Sequence, residues 1–310
     1  MLSVLAFNVV AQAYPNKPIR LMVPYAPGQS ADIKSRFFGA ELSKSLGQPI
    51  IVDNRPGAGG NIGTAAAAKM PADGYTIMYG TAATFGMNPS LYRSVGFDPD
   101  NDFTLFSLWG RVPLIIAAGP SFTGKSFEDL VAMSKAKPKS VNTALPNTTS
   151  IVVNGLLGQF GVELYGVPYT SSARALTEVY GGQLPLTIDA LASLRPAFES
   201  GRLKPLAITS LKTSILLPGV KSIAEQGLPG FEVVGWSAFF AAKATPAPIL
   251  GRLHDEMAAI LARADVQKSL LADGSEPSGA TSLAGLAEFL RNERVNWAKW
   301  IKASNIPLIE

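Results

Sequence analysis

Residues 103–118 read FTLFSLWGRVPLIIAA, an apolar run that is longer than one ordinary β-strand. We expect this run to leave one sheet and enter a second sheet near residues 111–113, which would then act as a hinge. A return strand is expected at residues 231–241. Two crossings of this kind predict two domains with a cleft between them, the first built from residues 14–110 and 231–310 and the second from residues 111–230.

Short apolar runs alternate with helical patterns on both sides of this segment, which is typical of βαβ units on a mainly parallel sheet. The sequence therefore predicts an α/β fold with two doubly wound domains. Further strands are expected at residues 19–23, 50–52, 75–79, 141–144, 186–188 and 206–209. Helices are expected at residues 30–46, 64–69, 127–135, 150–160, 172–180, 248–271 and 283–303. The first helix places four apolar residues on one side: Ile33, Phe37, Ala40 and Leu46.

The composition excludes several classes of function. Of the 310 residues, 47% are apolar and 16% are charged, and the net charge of +4 is spread along the chain without a run of Lys or Arg. We therefore expect no nucleic-acid partner. Cysteine is absent, and the one histidine, His254, lies in a stretch with helical periodicity. Because a zinc site or a Ser-His-Asp triad would need such residues at matching spacings, we expect no metal and no cofactor.

Residues 1–13 resemble the end of a secretory signal peptide. An apolar run at residues 2–10 precedes Ala11-Gln12-Ala13, an A-x-A pattern after which cleavage would leave Tyr14 first. The basic region that normally begins such a peptide is missing. We interpret this segment as a partial signal peptide and expect a periplasmic protein. No other segment approaches the ~18 apolar residues of a membrane span.

Residues 119–126, GPSFTGKS, satisfy the letters of a phosphate-binding loop. Phe122, however, would occupy the tight bend in which backbone amides curl around a phosphate. Ser126 and Asp129 also fit a capping box for the next helix. A nucleotide-dependent enzyme built on this loop stays an alternative, and magnesium-dependent nucleotide binding that is abolished by Lys125→Ala would establish it.

A second glycine-rich stretch, GAGGNIG at residues 57–63, invites comparison with dinucleotide-binding loops. Its third glycine comes one residue late, and no acidic residue follows at the ribose-binding position. We interpret the stretch as a tight loop whose glycines allow positive φ and close packing. A hydrolase or lyase that uses Asp32 and Asp189 as paired carboxylates is a further alternative.

Small and polar residues recur where four expected strands give way to helices. In open parallel sheets, ligands gather beyond the carboxyl ends of the strands. Each loop can offer unpaired backbone amides at a helix N-terminus together with a hydroxyl or amide side chain, which is one way to hold a carboxylate. Simple N-capping is the alternative for each loop. The four loops are residues 27–30, 81–84, 147–150 and 169–171.

A set of short motifs follows in order along the chain. They are YP at 14–15, KPIR at 17–20, VPYAPG at 23–28, VDNRPGAGGNIG at 52–63, ADGYT at 72–76, NPSLY at 88–92, VPY at 167–169, GGQ at 181–183, LAIT at 206–209 and GW at 235–236. Together they resemble the receptors of tripartite tricarboxylate transporters, the Bug or TctC-type periplasmic binding proteins, over nearly all of the chain after residue 13. The resemblance implies a type II periplasmic-binding fold that closes on a small, usually carboxylated solute without any reaction. It also implies delivery of the solute to membrane permease subunits, and we expect a monomer.

The resemblance implies site residues from both domains. In such receptors the first strand-to-helix loop grips the carboxylate, often through ordered waters, and loops of the second domain close over it. The corresponding residues are Tyr25, Gly28, Gln29, Ser30, Asp32, Thr81 and Ala83, and across the cleft Asn147, Thr148, Thr149, Tyr169 and Asp189. Asp32 either accepts a backbone amide at the start of its own helix or binds an ammonium or hydroxyl group of the ligand.

Three departures from the family pattern bear on the ligand. Gln29-Ser30-Ala31 stands where a glycine-rich turn is usual, Val152 where a histidine is common, and Thr170-Ser171 where Lys-Gly usually follows the tyrosine. The loss of a cationic and an imidazole side chain predicts a monocarboxylate, an aromatic acid or an amide-bearing acid in preference to tricarboxylates such as citrate. The same fold used as a ligand sensor, which reports to a signalling partner, is another alternative.

Overall fold

The structure, a computed structural model, describes residues 14–169, 171–278, 281–304 and 308–309. The expectations for residues 1–13 and for Thr170 lie outside these ranges. Within them, the strands are β1 Ile19–Val23, β2 Ile50–Asn54, β3 Thr76–Thr81, β4 Phe103–Ala118, β5 Asn142–Leu145, β6 Tyr165–Pro168, β7 Leu186–Ala190, β8 Lys204–Ile208, β9 Val234–Ala242 and β10 Glu276–Pro277. The α-helices are α1 Ser30–Leu46, α2 Asn61–Ala68, α3 Asn88–Leu91, α4 Phe127–Ala136, α5 Thr148–Gln159, α6 Ser172–Tyr180, α7 Leu191–Glu199, α8 Ala247–Ala262, α9 Ala264–Ala272 and α10 Leu283–Ala303.

The strands form one continuous sheet in the order β2-β1-β3-β9-β4-β7-β5-β6, with β8 and β10 paired to β4. Strands β1, β2 and β3 are parallel to one another, as are β5, β6 and β7, whereas β9 runs antiparallel to β3 and β4. Consecutive residues of β9, from Trp236 to Ala241, are all buried, so both faces of the sheet are covered there. The predicted α/β class with two wound halves is confirmed.

Strand β4 joins the two halves of the sheet. Its first part pairs with β9 as far as Pro113 and Val234, and its last part pairs with β7 from Leu114 and Ala190 onward. The strand therefore changes partners between Pro113 and Leu114, at the edge of the predicted hinge. The division into domains at residues 14–110 plus 231–310 and 111–230 is compatible with this change of partners and stays a prediction.

Helix α1 has the bounds that the sequence predicts, but its buried side was predicted wrongly. Of the four residues expected on one side, only Leu46 is buried, and Ile33 and Phe37 are 59% and 37% exposed. Phe38 is fully buried instead, and its ring centroid lies 5.0 Å from that of Trp109 in the core. The large aromatic cluster, and not the count of apolar residues along the helix, decides which side faces inward.

Further elements differ from expectation, among them the short helix α3 and the two-residue strand β10, which were not predicted. The helix predicted at residues 248–271 is divided into α8 and α9, because Arg263 between them has extended backbone and its guanidinium forms an ion pair with Glu41. Strand β6 and helix α7 were missed. Pro168 in β6 and Pro196 inside α7 are residues that disfavour these structures when only local sequence is considered.

The glycine loop at residues 57–63 packs as tightly as the sequence predicts. Gly60 has a φ of 97°, which favours glycine. A Cβ added to Gly63, in the first turn of α2, would stand 2.5 Å from the carbonyl oxygen of Arg55 and 2.9 Å from Cα of Pro24. The loop therefore presses the start of α2 against the end of β1.

Replacement of Gly63 by alanine is expected to destabilise the fold by about 1–3 kcal/mol, because the new methyl group would overlap backbone atoms. Gly158→Ala is the matched control. Gly158 also lies in a helix, α5, but nothing stands within 4 Å of its added Cβ, so this exchange is expected to stabilise by roughly 0.5–1 kcal/mol. Urea unfolding measures both changes, and equal effects would contradict the close packing of the loop.

Candidate functional site

Two sets of loops approach each other at the middle of β4. Strand β3 runs towards the position at which β4 changes partners. Its last residue, Thr81, pairs with Ser237 of β9, which in turn pairs with Gly110 of β4, so β3 ends level with Gly110. Strand β7 approaches from the opposite end, and its last residue, Ala190, pairs with Leu114. Gly110 and Leu114 are four residues apart along β4, which is roughly 13 Å of extended strand. The carboxyl ends of strands from both halves therefore meet at one place.

In the first half, a hydrogen bond joins the loops that follow β1 and β3. The hydroxyl groups of Tyr25 and Thr81 lie 2.8 Å apart, and Asn54 Nδ2 donates to the Tyr25 carbonyl oxygen at 3.0 Å. Gly28, Gln29 and Ser30 are exposed, whereas Thr81 and Ala83 are half-buried. The structure thus brings Tyr25 and Thr81 together and joins the two loops on which the other predicted residues of this half lie. Asn54 was not predicted as a site residue, although it lies at the end of β2 and within the motif at residues 52–63.

In the second half, Asp189 links the loops that follow β5 and β7. Its Oδ1 accepts hydrogen bonds from Asn147 Nδ2 at 3.1 Å and from the Ala190 amide at 2.8 Å. Asp189 is only 2% exposed, and Oδ2 is buried without a hydrogen bond within the described residues. Burial raises the pKa of Asp189, although the nearby Ser172 and Ser193 hydroxyls act in the opposite direction. Sequence reasoning missed these two serines.

Asp32 is held by groups of its own half. Its Oδ2 accepts the Gly28 amide at 2.9 Å, and its carboxylate forms a 2.9 Å ion pair with Arg36. The hydrogen bond from Arg36 and the Gly28 amide hold the pKa of Asp32 below its usual range, although burial opposes them. Of the two interpretations of Asp32, the acceptance of a backbone amide is the one that the structure contains.

Side-chain caps are present at three of the four predicted loops. Thr81 accepts the Thr84 amide at 3.3 Å at the start of a short π-helix, Ala82–Met87. Asn147 accepts the Ser150 amide at 2.9 Å in α5, and Ser171 accepts the Arg174 amide at 3.4 Å in α6. Each cap takes the third amide of its helix and leaves the earlier ones without that partner. The N-capping that was predicted as an alternative to ligand binding is therefore present at these loops. It still leaves the earlier amides of each helix free to donate to a ligand.

The remaining amides define the candidate site. They belong to four helix N-termini, two in each half, and none makes a backbone or side-chain hydrogen bond within the part of the chain that the structure describes. These amides are those of Ser30 and Ala31, Ala82 and Ala83, Thr148 and Thr149, and Ser172 and Ala173. First-turn amides carry partial positive charge, so this arrangement can hold an anion without a full opposing charge.

Several expected contributors do not join this arrangement. Val152 is fully buried in the core, so its difference from the family histidine does not act at an open cleft in this structure. Tyr169 is half-buried and is fixed by its amide, which donates to the Leu145 carbonyl oxygen at 3.0 Å. Asp32 and Asp189 do not bond to each other, and each is held by groups of its own half.

The loop at residues 119–126 has an ordinary structural role. Ser126 and Asp129 form the capping box that the sequence predicts for α4. Asp129 Oδ2 accepts the amides of Lys125 and Ser126 at 2.6 and 3.1 Å. A carboxylate thus occupies the amides that a phosphate would need, and it would repel the phosphate.

His254 lies in α8, and its Nδ1 is 2.8 Å from the Phe106 carbonyl oxygen, in agreement with the predicted packing role. No group of three or more His, Cys, Asp or Glu side chains suited to a metal ion occurs among the residues described. Within the same ranges, none of the helices combines the length and hydropathy that a bilayer crossing requires.

This chain is similar to known proteins in both its sequence and its fold. Residues 35–306 match a family model, which is described as the tripartite tricarboxylate transporter family receptor. Protein BugT from Bordetella pertussis is 32% identical over 308 residues, which covers 98% of this chain and 94% of that protein. The structure of R. palustris Rpa4515 with adipate is 33% identical with a TM-score of 0.81, and covers 96% of this chain and 100% of its own. MatC (Rpa3494) from Rhodopseudomonas palustris with bound malate is 28% identical with a TM-score of 0.76, and covers 93% of this chain and 100% of its own.

At pH 7, Asp32→Asn is expected to lower the free energy of unfolding by about 1.5–3 kcal/mol, because a charge-assisted hydrogen bond is lost. The pKa of Asp32 is lower in the folded than in the unfolded state. Its stabilisation is therefore present above the unfolded value of about 3.9 and is lost as the pH falls through the folded pKa.

Urea unfolding at pH 7 and at decreasing pH below 4 measures this difference, which should shrink as the pH falls. Asp53→Asn is the control, since Asp53 pairs with the half-exposed Arg55 at 3.2 Å and should contribute at most about 1 kcal/mol. A difference for Asp32→Asn that stays constant with pH would contradict the role of its charge.

Proposed function

Because this chain belongs to the family of tripartite tricarboxylate transporter receptors, we propose that it captures a small carboxylated organic solute by closure of two domains and delivers it to membrane permease subunits. Proteins of this family and fold are solute-binding receptors and not enzymes. The proposal therefore involves no bond making or breaking and no cofactor. It assigns the receptor to the periplasm as a monomer.

One observation carries the proposal: free first-turn amides from both halves of the sheet lie at the place where opposed strands end. A carboxylate between Ser30 and Ala31 on one side and Thr148 and Thr149 on the other would receive hydrogen bonds from both halves at once. Hydrogen bonds to a charged acceptor are stronger than those between neutral groups. Ordered waters can extend such contacts to solutes of different shape.

Closure follows from the same geometry. A ligand that touches only one half gains only part of these hydrogen bonds, so it binds the closed arrangement more tightly than the open one. Binding then shifts the equilibrium towards closure by the difference between the two affinities. The change of partners between Pro113 and Leu114 in β4 is the position at which we propose that the two halves turn.

The proposed ligand is a monocarboxylate, an aromatic acid or an amide-bearing acid, in preference to citrate. The four loops at residues 27–30, 81–84, 147–150 and 169–171 contain no Lys or Arg, so they offer no full charge to additional carboxylates. The burial of Val152 removes one of the three sequence arguments, and Thr170 lies outside the described residues. Two related structures contain the small acids adipate and malate, which supports an organic acid as the class.

A sensor with the same fold would use the same site. It would report the bound solute to a signalling partner in place of supplying a permease. The site is identical in the two cases, and uptake of the solute by cells with and without the receptor distinguishes them.

A thermal-shift screen of organic acids, including hexanoate, adipate and benzoate, tests capture of the solute. An acid at 100 times its Kd should stabilise the fold by about 2.7 kcal/mol, since it binds only the folded chain. If no acid raises the melting temperature, the proposed function is wrong.

Thr148→Pro tests the role of the backbone amides. Proline fits the first position of a helix, and Asn147 before it already has the extended backbone that proline requires, with φ −153° and ψ 166°. The exchange removes one amide donor and should weaken binding of the best acid roughly tenfold or more. Thr148→Ala, which keeps the amide, is the control, and isothermal calorimetry measures both. Equal affinities for the two variants would exclude this amide from the site.

Calorimetry with citrate tests the ligand class. Citrate is expected to bind at least about tenfold more weakly than the best monocarboxylate, because its additional carboxylates would be desolvated without a paired charge. Tighter binding of citrate than of every monocarboxylate would overturn the proposed preference while leaving solute capture in place.

A further inference from the structure

A groove between α1 and α7 adjoins the candidate site. Its volume is about 340 Å³, and its lining includes Ser30 and Lys34 of α1, Arg195 of α7 and Asp273 at the end of α9. A water molecule takes about 30 Å³ in the liquid, so the groove has room for a small hydrated ion. The two helices belong to opposite sides of the change of partners in β4, so an ion in the groove would contact both halves.

Lys34 brings a cation into the groove and forms no ion pair with any residue that the structure describes. Its ammonium group donates to Ser275 Oγ at 2.7 Å and lies 5.4 Å from the centre of the Trp109 ring. An ammonium has three donor hydrogens, so one hydrogen bond leaves two of them free. Burial lowers the pKa of Lys34, while the Asp273 carboxylate acts in the opposite direction from beyond ion-pair distance. The charge of Lys34 is therefore incompletely compensated.

Arg195 brings a second cation from the other half. Its Nη2 donates to the Leu271 carbonyl oxygen at 3.1 Å. Its Nε is buried and makes no hydrogen bond within the described residues. Because Nε has almost no accessible surface, an anion in the groove would bind the Nη groups of Arg195 and would be attracted by the charge of the whole guanidinium. Arg195, like Lys34, forms no ion pair within those residues.

We propose that this groove is a second anion-binding site, in which one oxyanion bridges Lys34 and Arg195. With Asp273 as the acidic residue of the lining, the groove has a net charge of +1. The oxyanion comes either from a free inorganic ion such as sulfate or from a second carboxylate of the captured solute. The latter source rests on the proposed capture of an organic acid, and it would replace the proposed preference for monocarboxylates by one for dicarboxylic acids.

An oxyanion in this groove would couple to closure. Two cations that approach each other across the groove repel when it is empty, and the repulsion is strong where burial reduces screening. A bridging anion replaces the repulsion by two attractions, which exist only while α1 and α7 are close. The groove would then favour the arrangement that also brings the candidate loops together.

Sulfate alone tests the site. Melting temperatures are measured against sulfate at constant ionic strength, with chloride as the balancing salt, for the wild type, Lys34→Gln, Arg195→Gln and Lys268→Gln. Lys268 lies exposed on α9 and is the matched control for the loss of one charge. The general stabilisation by sulfate is common to all four proteins. We expect a saturable additional shift in the wild type and Lys268→Gln, with affinity at least roughly tenfold weaker in the other two.

Hexanoate and adipate distinguish the two sources, since they differ only in the second carboxylate. If that carboxylate occupies the groove, adipate binds more tightly than hexanoate, and Lys34→Gln and Arg195→Gln abolish the difference without weakening hexanoate. Sulfate then competes with adipate and not with hexanoate. If the groove takes a free ion, the two acids bind alike and sulfate strengthens the binding of both.

The proposal is overturned if sulfate shifts all four proteins equally and the ratio of adipate to hexanoate affinity is the same in each. If neither hexanoate nor adipate binds the wild type, the sulfate titration alone decides whether the groove is an anion site. The proposed function is contradicted only if every acid of the thermal-shift screen fails to bind. Unfolding in urea without sulfate confirms that each variant is folded.

Discussion

The hydrogen bonding of one strand, β4, to partners from both halves is the constraint on which the rest of the structure depends. Its pairing with β9 fixes the level at which β3 ends, and its pairing with β7 fixes the level at which β7 ends. Because β3 and β7 run towards the crossing from opposite directions, their loops meet there. A slip of one residue in either pairing would turn the side chains of a whole strand to the opposite face of the sheet, where they would meet different neighbours, so core packing enforces this register.

At the helix N-termini of the candidate site, some backbone amides donate to groups of the protein and others point to no acceptor of the chain that the structure describes. Thr81, Asn147 and Ser171 each take one amide as a cap, while Asp32 and Asp189 take those of Gly28 and Ala190. Capping and anion binding are therefore compatible at one helix, since a cap uses a later amide of the first turn. The two carboxylates also differ in environment. The hydrogen bond from Arg36 lowers the pKa of Asp32, whereas burial raises the pKa of Asp189, whose hydrogen-bond partners among the described residues are neutral groups.

Two glycine-containing motifs show that a match to a sequence pattern does not by itself predict what a loop binds. GPSFTGKS matches a phosphate-binding pattern, yet Asp129, outside the pattern, takes the amides that would bind the phosphate. GAGGNIG fails the dinucleotide pattern by one residue, and its glycines serve contact between α2 and the end of β1. In both cases a residue beyond the motif decides what the backbone of the motif can do.

The sequence by itself determined most of the local elements and the family. The bounds of β1, α1, β4, α6 and α10, and the capping box at Ser126, follow from turn residues, caps and apolar periodicity, which act over a few residues. Tertiary structure alone decided which side of α1 is buried, where Arg263 divides a helix and that Val152 is enclosed in the core. It also decided which amides stay free and that Lys34 and Arg195 share a groove. Those outcomes depend on contacts between residues far apart in the chain, such as Phe38 with Trp109 and Arg263 with Glu41, and no local pattern contains them.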